Sequence, residues 1–394
     1  MSHHSNSPIQ MVELENKGRA LVSTKPLKAG EILLKDSPIL LYSALPSSSA
    51  ANYCSHCFRT ISSQSTTTLS CPNCSAASQF CSPQCQSAAL CTSHTPFVCS
   101  ALRRLGAADS PLLLLHHHDG LIQARFLIAA YNLAIASPSK FQSLLSLQGD
   151  ALSDDASVFL HSVVSTVCQL PNSGGLGFSA DLTAALLAKD KLNAFGLMEP
   201  FDQGKQRSVR AYGLYPTASF FNHDCLPNAC RFDYVDSSEF SNTDITIRVI
   251  HDLPAGREIC LSYFPVNFKY LERQQRLKED YDFVCDCDRC KVEANWSDDE
   301  EEGEGEMDHD DGDDGMDEDG DGDDDDEEGD LETTDCGMDR EGEDDSFPHA
   351  YFFVRYMCSV DNCGGTLAPL PPVDARPSTV MECNVCGSFS KCED

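Results

Sequence analysis

Hydrophobic and polar positions change rhythm three times along the chain. From Met11 to Leu41 short apolar runs alternate with turn residues. Asn16–Arg19 reads as a turn, Ala20–Ser23 as a strand, Lys28–Gly30 as a second turn and Glu31–Leu34 as a second strand. From Ser110 to Leu170 the spacing becomes helical. Leu121–Ala136 is apolar on most of its surface, with Gln123, Arg125 and Asn132 as its polar positions, and predicts a buried helix. Ala156–Cys168 and Leu182–Lys191 predict two more helices. Strand rhythm then returns in Arg207–Tyr212, Ala229–Val235, Asp244–Ile250 and Glu258–Phe264, followed by a polar helix over Phe268–Asp280. The phrase Leu27-Lys-Ala-Gly-Glu-Ile-Leu33 is echoed by Leu253-Pro-Ala-Gly-Arg-Glu-Ile-Cys-Leu261. Two glycine turns leading into strands, far apart in the chain, fit one β-domain opened by insertions, an α+β organisation.

Charge changes this picture in one place only. The net charge is −34, but residues 298–345 hold 30 of the 62 acids and one of the 28 bases. That run cannot collapse on an apolar core and is expected to be disordered, with Cys336 free inside it. The remainder is nearly neutral, so direct nucleic-acid binding is not expected. Met1–Gln10 lacks an apolar signal-peptide core and no run of ~18 apolar residues suggests a membrane span. A nuclear or cytoplasmic protein is expected, with reduced thiols.

The 21 cysteines then read as metal ligands rather than disulfides. Asn52–Cys99 contains Cys54-x2-Cys57, Cys71-x2-Cys74, Cys81-x3-Cys85 and His94-x4-Cys99, enough for two tetrahedral zinc sites. Cys91 is an alternative to His94. Cys285-x-Cys287-x2-Cys290 supplies three ligands where zinc takes four, so the fourth must come from elsewhere in the chain. Cys358-x4-Cys363 and Cys383-x2-Cys386 fit a zinc ribbon, with Gly364, Gly365 and Gly387 as its turns. His116-His117-His118 reads as exposed residues at a helix edge, and Asn172–Gly177 as a loop without the strand–helix context of a phosphate-binding turn.

One stretch resists a structural reading alone: Gly213-Leu-Tyr-Pro-Thr-Ala-Ser-Phe-Phe-Asn-His-Asp-Cys-Leu-Pro-Asn-Ala229. An apolar run stops at Asn222-His223, meets Cys225 and turns at Pro227-Asn228. A plain turn explains the Asn and His. Polar groups set among apolar ones also suggest a buried site, because lone polar groups are costly to bury.

That stretch, together with Ala-Gly-Arg-Glu-Ile-Cys-Leu-Ser-Tyr263 and Cys285-Asp-Cys-Asp-Arg-Cys290, resembles the SET-and-MYND protein lysine methyltransferases over about residues 11–292, and within them a plant ASHR-like branch. The resemblance implies a SET domain of small β-sheets split by a MYND zinc module and a helical insert. It divides residues 11–292 into a first SET part (11–50), the MYND-type module (51–99), a helical insert (100–190), the SET core (191–265) and a post-SET zinc segment (266–292), while composition and cysteine spacing set off a flexible N-terminus (1–10), an acidic segment (293–346) and a cysteine-rich C-terminal segment (347–394).

By the same resemblance Cys225 joins Cys285, Cys287 and Cys290 on one zinc. Cys54, Cys57, Cys81 and Cys85 form one MYND site, and Cys71, Cys74, His94 and Cys99 the other. Outside the resemblance, the spacing of Cys358, Cys363, Cys383 and Cys386 would add a C-terminal zinc. S-adenosylmethionine would be bound by Lys17, Gly18, Arg19, Asn193, Asn222 and His223. Tyr263 and Tyr281 would be catalytic, and Tyr263 and Phe283 would also pack on the cofactor. The substrate would be a lysine in a histone or another protein, and the MYND module resembles one that binds proline-rich peptides. The chain departs from the family pattern at Ala20, where glycine is usual, and at Asp224, where serine is usual. A non-catalytic adaptor, or an acidic histone binder, is the alternative.

Overall fold

The computed structural model describes residues 7–46, 52–61, 68–115, 117–170, 177–202, 205, 207–237, 241–294, 349–373 and 376–391. The acidic run with Cys336, His116 and all but the last residue of the 172–177 loop lie outside these residues. The chain begins with strands β1 (Ile9–Leu14), β2 (Gly18–Ser23), β3 (Ile32–Asp36) and β4 (Leu40–Ser43). A cysteine-rich module follows, with β5 (Leu69–Cys71), β6 (Ser75–Phe80) and α1 (Pro83–Cys91). Six helices come next: α2 (Pro96–Leu105), α3 (Pro111–Leu114), α4 (His118–Ala136), α5 (Pro138–Leu145), α6 (Asp155–Cys168) and α7 (Ala180–Asn193). Strands β7 (Ala194–Met198), β8 (Val209–Leu214), β9 (Asn222–His223), β10 (Ala229–Asp233), β11 (Ile245–Val249) and β12 (Cys260–Leu261) complete the β-region. The rest is α8 (Tyr270–Tyr281), α9 (Asp288–Glu293), α10 (His349–Tyr356) and strands β13 (Leu367–Pro369), β14 (Val380–Cys383) and β15 (Phe389–Lys391).

The strands form small sheets that repeatedly join distant parts of the chain. β3 pairs with β11, giving the order β10-β11-β3, and β4 enters the order β4-β8-β7. The two echoed phrases meet directly. Leu27 and Leu253 exchange both backbone hydrogen bonds, at 2.9 and 3.0 Å. Gly30, with φ +81°, turns its phrase under the C-terminal segment, where a Cβ would collide with Leu370 O. One expected strand is much shorter than its pattern. Glu258–Phe264 forms only β12, because Asn228 takes the hydrogen bonds on its flank, Nδ2 donating to Glu258 O and Oδ1 accepting from Cys260 N.

The buried helix forms as its pattern predicts. α4 starts three residues earlier than Leu121, because His117 Nδ1 accepts from Gly120 N at 2.9 Å and caps it. Ala124, Phe126, Leu127, Ile128, Ala130 and Tyr131 are buried against α2 and α6. Its buried amide, Asn132, accepts from Thr95 Oγ1 and donates to Thr92 O, so no polar group is stranded. This helical layer backs β4 and β8 and leaves the other sheets to build the second core around Leu21, Leu197, Tyr215, Phe221 and Ile247.

The C-terminal segment packs onto the β10–β11 sheet through Phe352, Tyr356, Leu367 and Met381 against Phe232, Ile250 and Val266. Arg248 and Glu382 form an ion pair across this contact at 2.8 Å, and Tyr234 donates to the same carboxylate at 3.2 Å. Glu382→Ala leaves Arg248 buried without its counter-charge and is expected to lower stability by about 3–5 kcal/mol, read from urea denaturation midpoints.

A second buried acid joins β4 to α7. Tyr42 donates its hydroxyl to both carboxylate oxygens of Asp190, at 2.7 and 2.8 Å, and burial pushes Asp190 up to about 7. Between about pH 4 and pH 7 the unfolded chain therefore carries this charge while the native one does not, and stability falls as pH rises. Asp190→Asn removes that fall. Relative to wild type it is expected to gain about 1 kcal/mol or more across the window, measured by denaturation at each pH.

Candidate active site and metal centres

The apolar run Phe220–Phe221 delivers β9 to the side of β12, and the two pair in parallel, Asn222 opposite Cys260 and His223 opposite Leu261. Tyr263, just past β12, ties the crossing. Its hydroxyl donates to Phe221 O at 3.0 Å and its backbone N–H donates to His223 Nδ1 at 3.1 Å. Burial holds the imidazole neutral, with its pKa pushed down to about 3. With Nδ1 accepting, the ring proton sits on Nε2, which faces Cys225 Sγ at 3.2 Å. Both ring nitrogens are thus engaged within the protein. Asp224, anomalous in the sequence, accepts from Leu226 N at 2.8 Å and starts the turn to Pro227.

Aromatic side chains cluster around this crossing. Tyr263 lies 4.7 Å from Tyr281 and 5.2 Å from His223, centroid to centroid, and Phe264 lies 4.8 Å from His223. Phe283 stands 6.4 Å from His223 and 6.5 Å from Tyr281 at the open side, 37% exposed. Burial pushes the Tyr263 hydroxyl well above the usual tyrosine range, so it remains a proton donor.

A second group gathers beside the same crossing. Glu258 accepts from Lys17 Nζ at 2.8 Å on one oxygen and from Asn222 Nδ2 at 2.9 Å on the other. Gly18, between Lys17 and Arg19, holds φ +70° and faces open space where a Cβ would lie. Arg19 lies over the Phe220 ring at 4.7 Å and donates to Ser146 O at 2.9 Å. Asn193 donates to Gln148 O at 2.7 Å, and buried Lys189 holds the same loop through Leu147 O and Gly149 O. Ammonium, amide and carboxylate groups so converge on the edge of β9. Glu258 has no separate signal in the sequence beyond its place after the second glycine turn.

The cysteines assemble into four sets: Cys54, Cys57, Cys81 and Cys85; Cys71, Cys74, His94 and Cys99; Cys225, Cys285, Cys287 and Cys290; and Cys358, Cys363, Cys383 and Cys386. Zinc–sulfur bonds of ~2.3 Å in a tetrahedron place neighbouring sulfurs about 3.8 Å apart. The separations match: 3.7 Å for Cys57–Cys81, 3.6 Å for Cys81–Cys85, 3.7 Å for Cys71–Cys99, 3.9 Å for Cys225–Cys285, 3.5 Å for Cys225–Cys290, 3.7 Å for Cys358–Cys386 and 3.5 Å for Cys363–Cys383. In the mixed set, His94 is buried with Nε2 3.4 Å from Cys74 Sγ, whereas Cys91 is exposed. Each set can therefore hold a tetrahedral divalent ion. The third brings Cys225, on the loop leaving β9, to the segment that follows Tyr281 and Phe283. Around it lie Arg273, Arg289 and Glu293, which the spacing of cysteines did not reveal.

The SET domain family model matches residues 18–264. Histone-lysine N-methyltransferase ASHR2 of Arabidopsis thaliana is 54% identical over 98% of this chain and 96% of its own length. Histone-lysine N-methyltransferase SMYD3 of Mus musculus is 26% identical over 72% of this chain, and the match spans 61% of that protein. A solved structure, the SET domain of LSMT bound to lysine and AdoHcy, covers 71% of this chain and 54% of its own at 15% identity and a TM-score of 0.29, too slight to bear on the site. The model match over most of the chain and the near full-length relative settle the family: the chain belongs to the SET-domain protein-lysine methyltransferases.

Proposed function

We propose that this methyltransferase modifies histone lysines, and that the reaction takes place in the aromatic cluster of Tyr263, Tyr281 and Phe283 beside the Asn222–His223 crossing. The observation that carries this reading is the clustering of these rings: Tyr263 and Phe283 lie 5.2 and 6.4 Å from His223, and Tyr281 lies 4.7 Å from Tyr263 and 6.5 Å from Phe283. S-adenosylmethionine, when bound, supplies an electrophilic methyl group. Its amino-acid part carries one ammonium and one carboxylate. Lys17 and Asn222 offer donors, Glu258 offers an acceptor, and Gly18 leaves space for close approach, so the residues suit such a ligand. Arg19, Asn193 and His223 complete the proposed pocket, His223 through its backbone and ring edge.

A lysine amine attacks only when neutral. Apolar walls disfavour its charged form, and positioning within ~3–3.5 Å accounts for much of the barrier reduction. Tyr263 keeps its proton on Phe221 O, which leaves its oxygen to accept from the amine and orient it. We assign residues 51–99 as a MYND-type module with two zinc ions and an affinity for proline-rich peptides, 266–292 as a post-SET segment with a third zinc, and 347–394 as a ribbon with a fourth. A histone substrate favours a nuclear location over a cytoplasmic one.

Tyr263→Phe is expected to lower turnover on a histone substrate by about 10²-fold or more, while stability falls by only about 1 kcal/mol, the worth of the lost bond to Phe221 O. Wild-type turnover in that variant would remove Tyr263 from the mechanism. Metal analysis of the purified chain is expected to give four zinc ions, and Cys287→Ser three, with loss of methyl transfer. Four ions in the variant would refute the post-SET assignment.

A further inference from the structure

The set formed by Cys225, Cys285, Cys287 and Cys290 is bordered by charges that methyl transfer does not use. Arg273, on α8, is completely buried. Its Nε donates to Cys225 Sγ at 3.3 Å, its Nη1 to Phe268 O at 2.7 Å, and its Nη2 lies 3.6 Å from Cys290 Sγ and 2.7 Å from Glu293 Oε2. The other oxygen of Glu293 accepts from Arg289 Nε at 2.6 Å. His223 also presents Nε2 to Cys225 Sγ, at 3.2 Å. A buried guanidinium persists only where its charge is answered. Here one carboxylate answers two guanidiniums, so a positive charge is left over beside the sulfurs. Four thiolates around a divalent ion leave negative charge in excess, which matches it in sign and place.

We infer that Arg273 is the positioning residue of this centre. With His223 it donates to the Cys225 thiolate, and with its far edge to Cys290, so that one fork spans two ligands and Glu293. The inference rests on the reading that this set holds zinc. Its geometric consequence is direct. Cys225 is the sulfur from which two arms extend, one through His223 to the backbone of Tyr263 and one through Arg273 into α8, which ends at Tyr281. Orientation of both aromatic walls is thereby set from a single atom. Lysine cannot replace this arrangement, because its ammonium lacks the planar fork.

Cadmium-113 NMR of the full chain, loaded with cadmium in place of zinc, gives each site its own resonance. Cys287→Ser identifies the resonance of this centre. If no resonance changes in that variant, the metal reading itself fails, independently of Arg273. In Arg273→Met the identified resonance is expected to shift while the others stay, and a chelator is expected to remove the metal about 10–100 times faster. An unmoved resonance with wild-type release in folded Arg273→Met overturns the inference. Should that variant not fold, Arg273→Lys keeps the charge and is read in the same way. A shifted resonance supports the inference, and a wild-type resonance overturns it.

Discussion

Two residues of parallel pairing, Asn222–His223 against Cys260–Leu261, are the constraint on which the site depends. So short a ladder holds little by itself, since net hydrogen-bond contributions are each about 1 kcal/mol. It persists because its ends are fixed by other groups. Asn228 grips the β12 side with both ends of its amide, Tyr263 closes the β9 side on Phe221 O and His223 Nδ1, and Asp224 N donates to Leu261 O. The proposed catalytic side chains are all placed relative to this crossing. The polar residues of the Asn-His-Asp-Cys phrase act as fasteners, which explains why they are tolerated among apolar neighbours.

Much of this was legible in the sequence, for a physical reason. Metal ligands must be specific residue types at short spacings, so Cys54-x2-Cys57 and its companions announce themselves. The missing fourth ligand of the Cys285–Cys290 group advertised a long-range contact before any geometry was known. Buried helix α4 was equally plain, because a helix apolar all round has nowhere to go but inside. What stayed hidden shares a different character. Glu258 joins Lys17 and Asn222, and Glu293 joins Arg273 and Arg289, through charges whose pairing follows from the fold rather than from spacing. Charged residues are common on surfaces, so nothing in the letters marks Arg273, Arg289 and Glu293 as interior. The shortness of β12 was hidden likewise, since it depends on Asn228 taking bonds that a longer strand would have used.

The C-terminal segment is the other lesson. Its cysteine spacing suggested a small ribbon appended behind an acidic run. Instead it shares a core with β10 and β11, and Glu382 and Asn384 both contact that region, the latter donating to Arg231 O. Arg231 in turn lies over Phe195 and donates to Gly196 O in β7. Packing thus runs from the ribbon through the β10–β11 sheet to the strand that follows Asn193.

The pairing of β3 with β11 has a kinetic meaning. Residues 32–36 meet residues 245–249, so the central sheet cannot close until most of the chain exists. At ~5–20 residues per second, β3 waits roughly 10 to 40 seconds on the ribosome for its partner β11. Over that interval the cysteine-rich module and the helical layer, whose contacts are local, can form first and shorten the loop that the sheet must close. A protein built this way matures from its insertions inward, and its active site is among the last parts to exist.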